Sequence, residues 1–371
     1  MTLIPMPFDG TGPSQTCLNL SKGMRSSGAH VAMYSIRSRL GNPRELGVNA
    51  VFTGIASWLP YIQFQKKFER LVEKSYFENL LEGDVCYLWL AASLRAHRRA
   101  RQLGNFVILE GINTRMKFAK SILDNAYEEI GEPPAHGINY ERIEEEEEKL
   151  SLSDSIFAPN SMVENALIDH DIYRNIISSS YGVNLPEEFP EIRPERRGEK
   201  FIFMFCGYAC VRKGIHHLLS IWNEMPRDAV LRIVGGVEPV IEKKFSEILK
   251  SDRVELTGFV RGVDRFYQSS DAFIFPTLEE GGPQVTYEAA VHGLPIVTTP
   301  MGAGRMGNSV CILGAGDRSA WLSALLDVYK DRDLRFEMGR RVQETVRNYD
   351  WDIVGARRYR DLGDMIGKRK I

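Results

Sequence analysis

The C-terminal half of the chain alternates short apolar runs with longer amphipathic stretches. Apolar runs rich in β-branched and aromatic residues predict strands at residues 201–205, 229–234, 254–256, 272–275 and 295–298. The stretches between them predict helices at residues 214–224, 239–250, 263–269 and 284–292, each following Gly or Pro. This alternation is typical of a parallel sheet covered by helices, and it predicts one doubly wound α/β lobe.

The N-terminal half has a similar but less regular pattern. It predicts strands at residues 31–35, 85–90, 106–109 and 155–158, separated by longer helical segments. A proline-rich polar stretch at 184–200 is unsuited to a core element and marks a domain boundary. We therefore expect an N-terminal lobe at 1–185, a second lobe at 186–345, and a C-terminal helix within 346–371 that packs back toward the first lobe.

Composition narrows the class of protein. A chain of 371 residues exceeds what one hydrophobic core usually supports, which agrees with two lobes. With 43% hydrophobic residues, 26% charged residues and a net charge of −2, the chain is typical of a globular protein and has no charge excess that would attract nucleic acid. We expect no nucleic-acid partner.

The cysteines and the N-terminus bear on location. The five cysteines are odd in number and never spaced as CxxC, which argues against a disulfide framework or a zinc ribbon and favours a reducing cytoplasm. The first ten residues lack a basic segment followed by an apolar run, so they do not resemble a signal peptide. No run approaches the roughly 20 apolar residues that span a bilayer, so any membrane contact would be peripheral.

The most informative stretch is 276–295, which follows a predicted buried strand and opens a helix. Gly281 and Gly282 allow close approach of a ligand, and Pro283 suits the first helical turn. The N–H groups of Gln284 and Val285 would then point from the positive end of the helix dipole toward a diphosphate. Two carboxylates in the stretch could accept hydrogen bonds from sugar or ribose hydroxyls. These are Glu280 and Glu288.

The pattern Glu280-x7-Glu288, followed by Ala-Ala and Gly-Leu-Pro, resembles the signature of retaining GT-B glycosyltransferases of group 1, or family 4. The resemblance implies two Rossmann-like lobes facing each other across a cleft, with the donor bound by the C-terminal lobe. It assigns the donor sugar to Glu280, the sugar and diphosphate to the backbone of residues 282–285, and the ribose to Glu288.

Two companion segments extend the resemblance over residues 201–305. Gly207 ends a strand and is followed by Arg212 and Lys213, which the resemblance assigns to the donor phosphates; Tyr208 stands where many relatives have Arg. The segment 254–261 resembles the strand and loop that hold the nucleotide base around Val260.

In the first lobe, the Gly-rich loop 9–13 includes Gly12 and resembles the loop that such enzymes place against the donor. The segment 109–115 resembles one that often ends in His; here Asn113 and Arg115 are candidates for the cleft. Such enzymes retain configuration by front-face attack, in which the leaving phosphate deprotonates the acceptor. We expect a nucleotide-sugar donor, a saccharide or lipid-linked saccharide acceptor, a role in bacterial surface polysaccharide synthesis, and neither a metal nor another cofactor.

Other interpretations remain open. A GT-B sugar-nucleotide epimerase or an inactive GT-B binding protein would share the lobes. A nicotinamide oxidoreductase needs a helix opening at the GxGxxG string 302–307, where the sequence predicts extended chain. The DxD strings at 169–171, 331–333 and 350–352 follow no buried strand, so we reject them as metal sites.

Two charged segments also have alternative interpretations. The glutamates 144–148 indicate a solvated helix face. A cationic helix face is either solvated or faces an anionic lipid, helped by apolar residues 58–64 beside Lys66 and Lys67. Its members are Arg95, His97, Arg98, Arg99 and Arg101.

Overall fold

The computed structural model describes residues 1–10, 12–40, 42–52, 61–89, 91–168, 175–192 and 200–369. The chain divides into two compact units. Unit 1 comprises Met1–Met116, Asn139–Gly182 and Trp351–Ile371, and unit 2 comprises Lys117–Ile138 and Val183–Asp350. Each unit contains one parallel sheet with helices in its connections, so the two Rossmann-like α/β domains that the sequence predicts are confirmed.

The sheet of unit 1 has seven strands in the order β3-β2-β1-β4-β5-β6-β7, and every pairing is parallel. The order reverses between β1 and β4, which places a topological switch point at their carboxyl ends. The strands are β1 Thr2–Leu3, β2 Met33–Arg37, β3 Val48–Phe52, β4 Val85–Leu88, β5 Phe106–Glu110, β6 Ser155–Ala158 and β7 Ile176–Ser178. The helices up to this point are α1 Gly12–Ser26, α2 Tyr61–Glu78, α3 Leu94–Gln102, α4 Met116–Glu129, α5 Tyr140–Ser151 and α6 Ser161–Ile168.

The sheet of unit 2 has six parallel strands in the order β10-β9-β8-β11-β12-β13, with the switch point between β8 and β11. The strands are β8 Phe201–Cys206, β9 Ala229–Val234, β10 Val254–Gly258, β11 Ala272–Phe275, β12 Ile296–Thr298 and β13 Cys311–Ile312. The helices are α7 Ile215–Ile221, α8 Pro239–Lys244, α9 Ser246–Leu249, α10 Asp264–Gln268, α11 Gln284–Val291, α12 Arg318–Lys330 and α13 Arg332–Val346. The last helix, α14 Trp351–Arg369, belongs to unit 1.

The central strands of unit 2 are apolar on both faces. All four residues of β11 and five of the six residues of β8 are buried. A parallel strand covered by helices on both sides buries every side chain, so its sequence is a continuous apolar run rather than an alternating one. This is why the sequence identifies β8, β9, β11 and β12 within a residue or two of their observed bounds.

Helix α14 packs closely on α1 within unit 1. A Cβ atom on Gly23 would overlap the carbonyl oxygen of Trp351, and one on Gly355 would overlap the backbone of Gly23. Further along α14, the guanidinium of Arg358 is buried against the carboxylate of Glu110. The backbone approach and the ion pair together fix the last helix on unit 1.

Residues 117–138 belong to unit 2, whereas the sequence-based division keeps them with the first lobe. The reason is a set of local bonds. The Tyr127 hydroxyl donates to Glu238 at 2.8 Å, and Lys244 Nζ donates to the carbonyl oxygen of Ile130. The chain passes from unit 1 to unit 2 after Gly182 and returns to unit 1 after Asp350, close to the predicted boundaries at 185 and 345.

The shortest elements are the ones that the sequence does not reveal. Strands β1, β7 and β13 have two or three residues each, and β3 is half-buried. The predicted helix at 239–250 is split into α8 and α9 at Phe245. Within the described part of the chain, every helix is too short or too polar to cross a lipid bilayer.

Candidate functional site

The candidate site lies at the switch point of the unit 2 sheet, where β8 and β11 end side by side. Gly207 follows β8, and the segment from Pro276 to Glu280 follows β11. In an open parallel sheet, ligands bind outside the carboxyl ends of the strands at this point. The fold therefore brings Gly207, Arg212, Lys213 and Glu280 to one edge of the sheet.

Two glycines keep this edge compact. Gly214 has φ +67°, and a Cβ atom there would overlap the carbonyl oxygen of Pro276. Gly235 has φ +144°, and a Cβ atom there would overlap the carbonyl oxygen of Gly207. Both backbones lie where L side chains are disfavoured, so glycine is required at both positions. As a result, the 3-10 turn Val211–Lys213 packs directly on the segment that follows β11.

The two cations of this turn each contact a carboxylate. Lys213 Nζ is in contact with Glu280 Oε2 and lies 5.2 Å from the ring centre of Phe275. Arg212 donates from Nη1 to Glu279 Oε2 and to the backbone oxygen of Glu279, both at 3.2 Å. The pair of cations thus faces the pair of adjacent glutamates.

Burial sets the electrostatics of Lys213, which is 8% exposed. Loss of hydration and, to a smaller extent, the neighbouring Arg212 lower its pKa to about 7, although the Glu279 carboxylate opposes this change. A cation in this position gains strongly from an added anion, because little water screens it. An incoming diphosphate would find such a cation here.

The start of α11 differs in detail from the sequence-based expectation. Pro283 is the N-cap residue rather than the first helical residue, and the helix begins at Gln284. The N–H of Gln284 donates to the carbonyl oxygen of Gly282 at 2.9 Å, so it does not point freely toward a ligand. The reason is that Pro283 has φ −77° and ψ 75°, which folds the chain back on Gly282. The N–H of Val285 has no acceptor among the described residues.

Glu288 lies on α11 with one carboxylate oxygen engaged. Its Oε2 accepts a hydrogen bond from the hydroxyl of Tyr267 at 2.8 Å. Tyr267 is fully buried and stacks on His292 with ring centres 5.3 Å apart. Burial raises the pKa of Glu288, and the bond from Tyr267 opposes that rise. Tyr267 therefore orients the Glu288 carboxylate so that Oε1 can accept a hydrogen bond from a ligand.

The segment after β10 contains a second feature that the sequence did not single out. Val260 packs on the core of unit 2, whereas the preceding Phe259 is 81% exposed. Exposed aromatic rings are platforms for planar ligands such as nucleotide bases. Glu279, which binds Arg212, and Tyr267, which binds Glu288, are residues of this site that the sequence analysis missed. The sequence alone could not show that Glu279 is buried, whereas the adjacent Glu280 is only partly buried.

In unit 1, Gly12 lies at the carboxyl end of β1, at the switch point of that sheet. It begins α1 with φ +54°, and its carbonyl oxygen accepts from the Thr16 hydroxyl at 3.3 Å. Thr11 of the same loop lies outside the described residues. The Gly-rich loop therefore starts a helix at a strand's carboxyl end, as a phosphate-contacting loop does.

The side chain of Arg115, a predicted cleft residue, is buried and paired with a carboxylate. It is 5% exposed, and it binds Glu147 through both Nε and Nη2, the first of these at 2.5 Å. The neighbouring Glu146 accepts the N–H of Met116 at 2.6 Å, at the start of α4. The glutamate run is therefore not simply a solvated face, because its inward members hold Arg115 and cap α4. Asn113 is exposed.

Three of the four arginines on the cationic face of α3 pair with carboxylates within unit 1, so most of the charge on this face is balanced without an anionic lipid. Arg98 binds both oxygens of Glu148 at 2.7 and 2.8 Å, and Arg101 binds Asp154 at 2.7 Å. Arg95 contacts Glu73, and Arg99 lies over the ring of Phe77. His97 is buried. Residues 58–60 of the apolar segment 58–64 lie outside the described residues.

The remaining motifs have structural roles where they are described. Asp331 caps α13 by accepting from the N–H of Leu334 at 2.9 Å, and Asp352 accepts from Ser26 at 3.2 Å. Asp169 and Asp171 lie outside the described residues. The GxGxxG string is followed by a 3-10 turn, Gly307–Ser309, and by β13 rather than by a helix, so it lacks the element that dinucleotide binding requires.

Comparisons with known proteins agree with this geometry. Residues 200–331 match the family model Glycosyl transferases group 1. Sulfoquinovosyl transferase SQD2 of Arabidopsis thaliana is 26% identical over 163 residues, 41% of this chain and 31% of that protein. The capsular polysaccharide biosynthesis glycosyltransferase CapM of Staphylococcus aureus is 25% identical over 161 residues, 40% of this chain and 42% of that protein. The matched region thus spans less than half the length of either relative.

Solved structures extend the likeness to the whole chain at the level of fold. A sucrose-phosphate synthase from Thermosynechococcus elongatus has a TM-score of 0.73 and 16% identity, covering 100% of this chain and 99% of that one. The Anabaena protein HepE, in complex with UDP and glucose, has a TM-score of 0.65 and 11% identity, covering 99% and 100%. The chain therefore has a GT-B fold, and its residues 200–331 match the model of the Glycosyl transferases group 1 family.

Proposed function

We propose that the chain is a retaining glycosyltransferase that moves a sugar from a nucleotide-sugar donor to a saccharide or lipid-linked saccharide acceptor. Its role would be in surface polysaccharide or glycolipid biosynthesis. The observation that carries the proposal is the contact between Lys213 and Glu280 at the switch point of the unit 2 sheet. It joins a cation suited to phosphate and a carboxylate suited to sugar hydroxyls inside the group 1 domain.

The donor diphosphate would bind to Lys213, Arg212 and the N–H of Val285. Both cations already face carboxylates, so a diphosphate would compete with Glu279 and Glu280 for them. Preorganised cations of this kind act mainly on the transition state, when charge develops on the departing nucleoside diphosphate. Glu280, displaced from Lys213, would then accept hydrogen bonds from the donor sugar.

The reaction needs no protein nucleophile. The bond between the anomeric carbon and the diphosphate oxygen breaks, and the acceptor oxygen bonds to the same face of that carbon. The acceptor's proton passes to the departing diphosphate, so atoms and charge balance. In this scheme the protein positions both substrates and stabilises the leaving group. Arg212 and Lys213 are the groups that would perform the second task.

UDP-sugars are the first donors to test. The structurally similar HepE is recorded with UDP and glucose, and also with UDP-glucose. Two relatives that are similar over about 40% of this chain are named as a sulfoquinovosyl transferase and as a capsular polysaccharide glycosyltransferase. These names favour a hexose or a modified hexose as the transferred sugar and a glycolipid or polysaccharide as the product.

A lipid-linked acceptor would bring the enzyme to an anionic membrane surface. On α2, Lys66, Lys67 and Arg70 are exposed within five consecutive residues. Basic residues near an anionic bilayer each contribute about 1 kcal/mol. Sedimentation with vesicles that contain anionic lipid, compared with neutral vesicles, tests this contact. A cytoplasmic location agrees with the five free cysteines, four of which are buried.

The central experiment titrates the protein with UDP-, GDP- and ADP-sugars by calorimetry and follows the product's anomeric configuration by proton NMR. We expect one nucleotide sugar to bind, Lys213→Ala and Glu288→Ala to weaken it, and Lys243→Ala on the exposed face of α8 to leave it unchanged. Donor hydrolysis without acceptor transfer would favour an epimerase or a different acceptor. A folded protein that binds none of the donors would overturn the transferase proposal in favour of an inactive binding protein.

A further inference from the structure

A cluster of three side chains in unit 2 is not used by the proposed transfer reaction. Glu129 ends α4, and His216 and His217 lie in the first turn of α7. One ligand atom from each of the three lies within 4.8 Å of the others. His217 Nδ1 is 3.5 Å from Glu129 Oε1, and the two imidazole ring centres are 4.1 Å apart.

His216 is the unusual member of this cluster. Its residue is 2% exposed, and neither ring nitrogen has a hydrogen-bond partner among the described residues. A buried polar group without a partner costs about 1–3 kcal/mol, so buried imidazoles are nearly always bonded to something. The neighbouring ring of His217 does not satisfy it, since that ring is tilted by 38° and forms no hydrogen bond with it.

The end of α4 has a related imbalance. Its last two residues are Glu128 and Glu129, and its last turn contains no basic residue. The C-terminus of a helix carries the negative end of the dipole, where a carboxylate is disfavoured and a cation is favoured. A cation bound beside Glu129 would correct this imbalance and would also give the unpartnered His216 a ligand.

We propose that Glu129, His216 and His217 bind a divalent transition-metal ion of the zinc type. Two imidazoles and one carboxylate form a donor set used for Zn²⁺, with water as the fourth ligand. Zinc ligands lie at about 2.0–2.2 Å, so tetrahedral donor atoms are roughly 3.3–3.5 Å apart. The Glu129 side chain is 56% exposed, so its carboxylate can rotate to shorten its distance to the imidazoles.

The ion would fasten α4 to α7 within unit 2. Residues 117–138 enter unit 2 as an excursion between two segments of unit 1, and Glu129 is near the middle of that excursion. Tyr127 and Ile130 already hold it through Glu238 and Lys244. A metal bridge from Glu129 to α7 would add a third contact between this segment and the rest of unit 2. This inference does not depend on the identity of the donor or on transfer activity.

The test measures binding of Zn²⁺ by calorimetry and of Co²⁺ by its visible absorption, using metal-free full-length protein. We expect one ion per chain, a tetrahedral Co²⁺ spectrum, and a Zn²⁺-dependent rise in the unfolding temperature. Removing any one of the three ligands should weaken the affinity for Zn²⁺ by at least about 10–100-fold, which is the usual loss when an outer-shell partner is changed. The variants are His216→Ala, His217→Asn and Glu129→Gln, with His30→Ala on the surface as the matched control.

Glu129→Gln keeps the assay informative if His216→Ala fails to fold, because Glu129 is on the surface and its amide isostere disturbs no core. Loss of binding in Glu129→Gln and retention in His30→Ala would support the site. Equal binding by wild type, Glu129→Gln and His217→Asn would overturn it, and so would absence of the Co²⁺ spectrum in wild type. Donor binding is measured separately, so failure here leaves the transferase proposal intact.

Discussion

Lys213 and Glu280 form an ion pair at the edge of the unit 2 sheet, with Lys213 almost fully buried. The group proposed for phosphate and the group proposed for the donor sugar therefore neutralise each other before any ligand arrives. Neither side chain can be altered without changing the electrostatic environment of the other. A single substitution at either position mixes two effects, and a double-mutant cycle separates them.

Lys213→Ala should lower kcat by about 10²–10³-fold, the usual cost of removing one preorganised group that stabilises developing negative charge. The informative measurement is affinity for the nucleoside diphosphate alone, in wild-type and Glu280→Gln backgrounds. If Lys213 contacts phosphate, Lys213→Ala weakens that affinity in both backgrounds. If Lys213 serves only to hold Glu280, the loss disappears once Glu280 is already neutral. Lys243→Ala controls for the removal of a surface charge.

Glu288→Gln should weaken nucleotide binding by about 10–100-fold, because hydrogen bonds to a charged group contribute about 1.5–3 kcal/mol. The loss should be confined to ligands with ribose hydroxyls. A 2′,3′-dideoxynucleotide should bind wild type and Glu288→Gln equally, as measured by calorimetry. Tyr267→Phe removes the donor to Oε2 and should produce a smaller loss with the same dependence on the hydroxyls. A loss of equal size for both nucleotides would contradict a ribose contact.

The sequence predicted the doubly wound sheets because buried parallel strands are continuous apolar runs, as in β8 and β11. It also predicted that Lys213 and Glu280 lie in one site, since both follow strands whose carboxyl ends lie at the same edge of the unit 2 sheet. The sequence could not predict that Arg115 forms an ion pair, because its partner Glu147 is 32 residues away in a run of identical glutamates. Only the packing of α5 decides which glutamates of that run face inward.

Arg358 and Glu110 should control the docking of α14 in unit 1. The guanidinium donates to Glu110 at 2.7 and 3.1 Å and to the carbonyl oxygen of Ser180, and both side chains are buried. Removing one partner of a buried ion pair leaves an uncompensated charge and costs about 3–5 kcal/mol. Arg358→Met should therefore lower the unfolding temperature strongly in denaturant and thermal unfolding experiments.

A double replacement checks the physical reason for this loss. Arg358→Met combined with Glu110→Gln removes both charges, so it should recover much of the stability that the single variant loses. Arg360→Met on the exposed side of α14 is the matched control, since Arg360 bonds only to the adjacent Asp361 in the described structure. An Arg358→Met protein as stable as wild type would show that the ion pair does not anchor α14.

Glu146 should make stability depend on pH near neutrality. Burial raises its pKa to about 7, and the N–H of Met116 and the Arg115 guanidinium oppose the rise only in part. Its folded pKa is thus above the unfolded value of about 4.3. The folded state binds the extra proton between these values, so this contribution to stability is complete below about pH 4 and is lost as pH rises through 7.

Glu146→Gln should remove this dependence while keeping an oxygen that accepts from Met116. Relative to wild type, the variant should gain roughly 1–3 kcal/mol in the free energy of unfolding between pH 5 and pH 8, within the limit set by about two pKa units. Urea unfolding at several pH values measures the change. Glu144→Gln, an exposed neighbour in the same run, should leave the pH profile unchanged. Parallel profiles for wild type and Glu146→Gln would show that Glu146 is ionised throughout, held charged by Arg115 and the start of α4.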